Sequence, residues 1–302
     1  SYWGGRPPAR QIRFVEVPEV PSRINGLLSG EYDFACDIPP DQIATIERHP
    51  RYEVQGSPIN NTRVLVFDRS HPVLANPLVR RAFTHAVDRQ AIVEALWAGR
   101  TAVPKGLQFE SYGDMLVRDW DVPRFDPAEA RRLLREAGYR GQPIPYRLLN
   151  NYYTAQTATA QVLVEMWRAV GLNVQIEMRE NWNQVLDRTT QRGIRDWSVT
   201  SLFADPVAAL VRAFGPRGEA QSGGEWTNEA FNAACAEIET TLDRGRRRAA
   251  IRRALEIAER EDPAYIVLHQ TATFTAKRRD IAWRAARGWP MDFRGPNLRF
   301  GA

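Results

Sequence analysis

Residues 145–203 read PYRLLNNYYTAQTATAQVLVEMWRAVGLNVQIEMRENWNQVLDRTTQRGIRDWSVTSLF, and this stretch decides the fold class. Pro145 to Leu149 is a short apolar run, as a buried strand requires. A polar, aromatic turn follows, Asn150-Asn151-Tyr152-Tyr153-Thr154, and then a long helical pattern to Val170 that Gly171 closes. Asn173 to Met178 reads as a strand, Trp182 to Gln191 as a helix ending at Gly193, and Asp196 to Phe203 as another strand. Strands that alternate with helices in this way need crossover connections, so the segment predicts an α/β domain.

Reading toward the N-terminus, Asn76-Pro77 supplies a helix cap and a proline at the first helical position. Leu78, Val79, Ala82, Phe83, Ala86 and Val87 then form a stripe that Ala91 to Trp97 continues to Gly99, predicting one long helix. Asp126-Pro127-Ala128-Glu129 opens a second helix with a capping box. Gln11 to Val17, Tyr32 to Ile38, Tyr52 to Gly56 and Arg63 to Phe67 read as strands, and 20–28 and 39–48 as short helices. Toward the C-terminus, a short helix reaches Phe214, residues 215–225 form a Gly-rich loop, and two helices meet at Asp243. Tyr265 to Lys277 is a last long strand, and the tail beyond Trp283 has little periodicity.

The composition narrows the function. The chain has 302 residues, 43% of them hydrophobic, and a net charge of +5. Its mean hydropathy is −0.45 and no apolar run approaches the roughly 18 residues of a membrane span. Of the 41 cations only Lys105 and Lys277 are lysines, so 39 are arginine, and they are interleaved with acids as in Glu259-Arg260-Glu261. The densest basic run, Arg244 to Arg253, lies on a helical pattern and reads as a solvated face rather than a polyanion site. Cys36 and Cys235 lie far apart and neither belongs to a CxxC, so both are expected as small buried thiols. A disulfide would need an oxidising compartment and a fold that brings them together.

Catalytic signatures are missing from the sequence. There is no HExxH, GxSxG, P-loop or GxGxxG, and His49, His71, His85 and His269 lack metal-ligand spacing. Asp33, Asp37 and Asp41 recur every four residues but suit turn and capping duty. What remains is a set of aromatic and amide residues beyond strand ends, where open α/β sheets place their ligands. Rings stack and exclude water while amides orient a small polar ligand. Asn151, Tyr152, Tyr153, Trp182, Phe203 and Asp205 stand at such strand ends, with core packing of the rings and turn duty for Asp205 as the competing readings.

The order of the motifs resembles the family 5 extracellular solute-binding proteins of bacterial ABC importers, the dipeptide-, oligopeptide- and nickel-binding class. Tyr2-Trp3-Gly4-Gly5, Leu27-Leu28-Ser29-Gly30-Glu31-Tyr32-Asp33 and Ile38-Pro39-Pro40 carry the resemblance at the start. Asn76 to Phe83 with Ala86 to Ile92 is its most specific stretch, followed by Phe125-Asp126-Pro127-Ala128-Glu129-Ala130, Glu136 to Tyr139, Gly171 to Ile176, Trp182, Asp196, Asp205-Pro206 and Thr227-Asn228-Glu229.

The resemblance implies an α/β fold like that of type II periplasmic binding proteins. It covers the later part of such a protein, so the chain is expected as a C-terminal portion that binds solute weakly or not at all by itself. One complete α/β lobe (69–262) and strips of another (1–68 and 263–302) are implied, with a hinge near Asn61 to Phe67 and Val267 to Thr271. On that plan Trp226 joins the lining of the complete lobe and Asn61, Arg63 and His269 are hinge-side candidates, Arg63 either gripping a carboxylate through its fork or standing as a surface strand residue. The implied function is capture of a peptide-like, opine-like or other small polar solute in an interlobe cleft. Delivery would be to the transmembrane subunits of an ABC permease, from the periplasm, by a monomer with no cofactor and no nucleic-acid partner. The approach to Asp205-Pro206 reads Thr200-Ser201-Leu202-Phe203-Ala204, with no aspartate where peptide binders of the family often have one for a peptide amino terminus. A carboxylate-dependent hydrolase and, less favoured, a nucleic-acid-binding protein are the rival readings.

Overall fold

The structure is a computed structural model that describes residues 5–150, 152–286 and 291–301. Its helices are α1 (Val20–Ser29), α2 (Pro40–Glu47), α3 (Pro77–His85), α4 (Arg89–Trp97), α5 (Pro127–Glu136), α6 (Gln156–Ala169), α7 (Trp182–Leu186), α8 (Leu210–Phe214), α9 (Glu219–Ser222), α10 (Glu229–Thr240) and α11 (Arg244–Glu256). Its strands are β1 (Phe34–Ala35), β2 (Tyr52–Phe67), β3 (Ile144–Leu149), β4 (Val174–Arg179), β5 (Ile194–Thr200), β6 (Tyr265–Arg278), β7 (Ile281–Trp283) and β8 (Leu298–Phe300).

The chain divides into two compact units. One comprises Ser1–Ile59, Glu94–Thr101 and Thr271–Ala302; the other comprises Asn60–Val93 and Ala102–Gln270. In the first, α1 and α2 pack Ile24, Leu27, Ile43 and Ile46 with Tyr52, Trp97 and Phe274. β1 pairs antiparallel with the last turn of β6, and β7 pairs with β8 under Phe34, Trp283 and Phe293. Gly56 has φ +156°, and a Cβ there would lie 2.0 Å from the Thr273 carbonyl oxygen, so only glycine allows this approach of β2 to β6. Lys277 is buried and bonds Glu53 at 2.7 Å.

In the second unit β3 runs parallel to both β4 and β5, as the alternating pattern of 145–203 requires. β5 then pairs antiparallel with β2 in the register Asn61 to Thr200, Arg63 to Ser198, Leu65 to Asp196 and Phe67 to Ile194. A period of two puts these residues on one face and Val64, Val66, Trp197 and Val199 on the other. The second face is dry. Val64, Val66 and Val199 join Phe214, Phe231, Ile251, Leu255, Tyr265 and Val267 in the main core beneath α10 and α11. The first face is apolar only at one end, where Phe67, Phe83, Trp167 and Tyr146 meet edge to face.

Arginine ties the elements together. Arg80, fully buried on α3, donates to the Pro263 carbonyl at 2.8 Å and pairs with Asp262, so it fixes the chain where it enters β6. That explains the physical role of the Asn76 to Phe83 motif. Arg195 forks onto Glu225 at 2.5 and 2.8 Å, and Arg192 meets Asp68 at 2.6 Å. Glu259, buried in the π-helical turn Ile257–Glu261, accepts from the Leu107 amide, the Trp120 indole and the Tyr265 hydroxyl. Burial pushes its carboxyl up, against the pull of those three donors.

Several expectations need correction. Gln11 to Val17 alternates like a strand but has no ladder, because alternation sets the faces while a strand needs a partner edge; Phe14 is 80% exposed. Tyr32 to Ile38 keeps only two strand residues, and Tyr52 to Phe67 is one strand of 16 residues rather than two. The stripe from Leu78 to Trp97 is two helices, since the chain leaves the helix at Ala86–Asp88 and Asp88 accepts from the Ala91 amide to begin α4. β5 stops at Thr200, leaving Ser201 to Phe203 outside the sheet, and the loop 215–225 holds α9. The tail beyond Trp283 contains β8. The arginines of α11 are not simply solvated: Arg246 meets Glu237 at 2.7 Å, Arg247 meets Asp205 and Arg253 meets Glu261 at 2.5 Å. Both cysteines are free thiols; Cys235 is buried but Cys36 only half so, its thiol 3.2 Å from the Met291 sulfur.

The ring cluster on the first face sets a stability test. Trp167 is fully buried and its indole donates to the Phe83 carbonyl at 3.2 Å. Trp167→Ala should cost about 3–5 kcal/mol in urea unfolding. Leu242→Ala, at a side chain 98% exposed, should change stability by no more than about 0.5 kcal/mol.

Candidate functional site

The polar end of the same face begins where the apolar rings stop. Arg63 on β2 and Asp196 on β5 form an ion pair, 4% and 1% exposed. Gln156, at the first position of α6, donates from Nε2 to Asp196 Oδ2 at 2.9 Å, while its Oε1 accepts from the Tyr153 amide at 3.1 Å. One buried amide therefore ties the β3–α6 turn to the sheet. Ala155 takes φ +54° just before it, a left-handed residue that turns the chain into α6. Asn61 Nδ2 donates to Ser198 Oγ at 3.1 Å and to Thr200 Oγ1 at 2.7 Å.

Aromatic rings cover this cluster. The Arg63 guanidinium carbon lies 3.5 Å from the centroid of the Tyr153 ring, a close cation–π contact. Tyr152 stands edge to face with Tyr153 at 4.8 Å and with Trp182 at 5.3 Å, and Trp182 lies 6.3 Å from Tyr153. Tyr152 is 60% exposed and Trp182 half-buried, so the trio presents ring surface to solvent. These residues follow the carboxyl ends of the parallel strands β3 and β4, the crevice side of an open α/β sheet.

His269, 2% exposed on β6, has its Nδ1 2.7 Å from the Gln270 carbonyl. Burial, with a further push from the Arg63 charge, brings its pKa down to about 4 against the upward pull of that carbonyl. The ring is neutral at pH 7. Burial raises the Tyr153 phenol, and Arg63 opposes the rise.

The structure thus brings together Asn61, Arg63, Tyr152, Tyr153, Trp182 and His269. It places three other candidates elsewhere. Trp226 is 2% exposed in the main core, its indole donating to the Asp262 carbonyl, because its ring packs edge to face on Phe231. Asp205 caps the turn at Pro206 by accepting from the Val207 amide at 2.9 Å and takes a fork from Arg247 at 2.7 and 2.8 Å. Burial lifts its carboxyl, but these partners outweigh that and leave it below the usual range. Phe203 is 56% exposed beyond β5, its carbonyl accepting from Ser201 Oγ. Asn151 lies outside the described residues.

Two members of the cluster, Gln156 and Asp196, were absent from the sequence candidates. A usable signal existed for Asp196. Arg63 and Asp196 each put a charge on the phase of an apolar strand that otherwise carries Leu65, Phe67 and Ile194, and a charge there needs a partner. Gln156 gave no such signal, since its side chain reads as an ordinary first-turn residue.

The fold is that of the type II periplasmic binding proteins. The peptide-bound periplasmic binding protein DppA of Helicobacter pylori superposes with a TM-score of 0.80 at 19% identity, over 95% of this chain and 56% of that one. NikA of Brucella suis, solved with Fe(III)-EDTA, gives 0.81 at 20% identity, over 99% and 64%. The profile of the bacterial extracellular solute-binding proteins, family 5, middle region, matches residues 1–219, and the chain belongs to this family. Its members are binding components rather than enzymes. The glutathione-binding protein GsiB of Shigella flexneri is 26% identical over 223 residues, which is 68% of this chain and 43% of the relative. The chain therefore spans less than half the length of that relative.

The depressed His269 fixes the sign of a pH effect. The neutral ring is favoured in the folded state, so its share of stability is complete above pH 6.5 and is lost as pH falls from 6.5 toward 4, where the unfolded chain takes up the proton first. Between pH 7 and pH 4.5 the stability of the wild type relative to His269→Asn should shrink by roughly 2.5 kcal/mol, read from paired urea titrations.

Proposed function

We propose that the chain is part of the solute-binding component of an ABC importer, and that the face carrying Tyr152, Tyr153 and Trp182 touches the solute. The observation that carries this reading is the aromatic trio standing over a buried polar cluster at the carboxyl ends of β3 and β4. Exposed ring surface takes the apolar or sugar-like parts of a small molecule, and the neighbouring amides and hydroxyls orient it. Asn61, Arg63 and His269 lie beneath or beside the rings, and Asn151 immediately precedes Tyr152. Family membership supports the role, and the ligands of those relatives (glutathione, a peptide, a metal chelate) are all small polar molecules.

On this reading 1–68 and 263–302 belong to one lobe and 69–262 to the other. The protein works outside the cytoplasm, in the periplasm, as a monomer that hands its solute to the transmembrane subunits of a permease. Among the described residues no helix is long and apolar enough to cross a membrane. Polyanion binding has little support, because the arginines of the basic helix engage acids: Arg244 meets Asp114, Arg247 meets Asp205 and Arg252 meets Asp119.

Mass spectrometry of the solute retained by the exported protein would name the ligand, and calorimetry would then test the site. Trp182→Ala and Tyr152→Ala should each weaken binding about tenfold or more, equivalent to ~1.4 kcal/mol. Both rings are partly exposed, so each variant should keep its thermal midpoint within a few degrees. Unchanged affinity in both variants would remove this face from the solute site.

A further inference from the structure

We propose that the first unit carries a binding site of its own, in which Arg279, Arg284 and Arg299 hold a phosphate group bearing two or more negative charges. The site is built from the first unit alone and does not depend on the reading of the solute face.

It is a cavity of about 550 Å³, the size of a small-molecule pocket, where the end of β6 meets β2 and the β7–β8 pair. Lys277, Arg279, Arg284 and Arg299 line it against one carboxylate, Glu53. That carboxylate is fully engaged. Its Oε1 accepts from Lys277 at 2.7 Å and from Gln55 at 2.9 Å, and its Oε2 meets Arg279 at 3.3 Å. The guanidinium groups of Arg284 and Arg299 have no ion-pair partner among the described residues. The acids nearest to them in sequence, Asp280 and Asp292, are held by Arg278 and Arg294. Here, unlike on α11, the basic side chains outnumber the acids that could answer them.

The strand register explains how the two unanswered arginines meet. Ala282 pairs with Arg299, and a period of two puts Arg284 in the phase of Ala282. Ile281, Trp283 and Leu298 take the opposite phase and are buried. Arg284 and Arg299 are therefore diagonal neighbours on one face, and the small side chain of Ala282 leaves room between them. Like charges so placed repel, and an anion between them removes the repulsion. The backbone beneath is fixed on both sides. Gln55 Oε1 accepts from the Ala285 amide at 3.2 Å, and Asn297 Nδ2 donates to the Arg284 carbonyl at 2.9 Å.

The chemistry of the lining selects the anion. Arginine forks match phosphate oxygens bidentately, and a lone carboxylate would leave much of the positive charge unanswered. Trp283, the one ring of the lining, is 4% exposed and gives its indole to the Asp292 carbonyl at 3.0 Å, so it offers no face on which a base could stack. The ligand is recognised by its phosphate, whether that phosphate is free or belongs to a lipid headgroup.

Calorimetry with inorganic pyrophosphate at low salt tests the site, because exposed charges are screened at high salt. Pyrophosphate should bind, and acetate should not displace it. Arg284→Gln and Arg299→Gln should each weaken binding about tenfold or more. Both side chains are exposed, so each variant should keep the thermal midpoint of the wild type. Arg48→Gln removes the same charge from the exposed end of α2, outside the cavity, and should leave binding unchanged. Sedimentation with phosphatidylcholine vesicles, with and without phosphatidic acid, separates the two sources. Retention on the acidic vesicles that the two cavity variants abolish identifies a headgroup, and pyrophosphate binding without such retention identifies a free phosphate. Equal weakening by all three variants, or by none, would overturn the site in favour of general charge attraction. No binding of pyrophosphate or of acidic vesicles would overturn it outright.

Discussion

The antiparallel pairing of β2 with β5 is the constraint on which the second unit depends. Its register decides which side chains share a face, and a slip of β2 by one residue would send Arg63 into the dry core and bring Val64 out. Because the register holds, one sheet does two jobs. One face is sealed by Phe214, Tyr265 and the residues of α10 and α11. The other grades from packed rings at Phe67 and Trp167 to a polar cluster at Asn61, Arg63 and Ser198. The rigid end of the face sets the position of the polar end, so the candidate site stands on packed strands and only its aromatic cover stands on a turn.

The same sheet explains what the arginines do. A chain with a net charge of +5 could carry a broad positive surface. Instead several of its guanidinium groups, among them Arg63, Arg80, Arg89, Arg147, Arg192 and Arg195, are buried inside the fold. Arg80 secures the entry to β6, Arg147 binds Glu177 and the carbonyl of Asp187, and Arg195 closes on Glu225. The planar fork suits such multiple contacts better than an ammonium does. The excess of basic groups reflects internal cross-links as much as any external partner.

Much of the second unit was legible because its signals are local. The alternation of 145–203 gave β3, α6, β4 and β5 in order, and the caps read at Asn76 and Asp126 accept hydrogen bonds from the first turns of α3 and α5. What was hard to read depends on distant partners. Gln11 to Val17 has strand periodicity but no ladder, and the merging of two apparent strands into β2 is set by the approach of β6 to Gly56. The site divides along the same line. The aromatic residues at 152, 153 and 182 were visible because they stand at strand ends. Trp226 looked the same in sequence, and only the packing of Phe231 against its ring makes it core. Gln156 was invisible because its importance lies wholly in linking Tyr153 to Asp196, residues far apart along the chain.

Only two lysines occur in 302 residues, and the fold treats them in opposite ways. Lys277 is 2% exposed and bonded to Glu53, whereas Lys105 has about half of its side chain in solvent, 3.6 Å from Asp121. Amine-directed chemistry therefore has one accessible side chain in the whole sequence. A dye or cross-linker coupled there reports from a single known point on the second unit, and a protease that cuts only after lysine has one exposed place to begin.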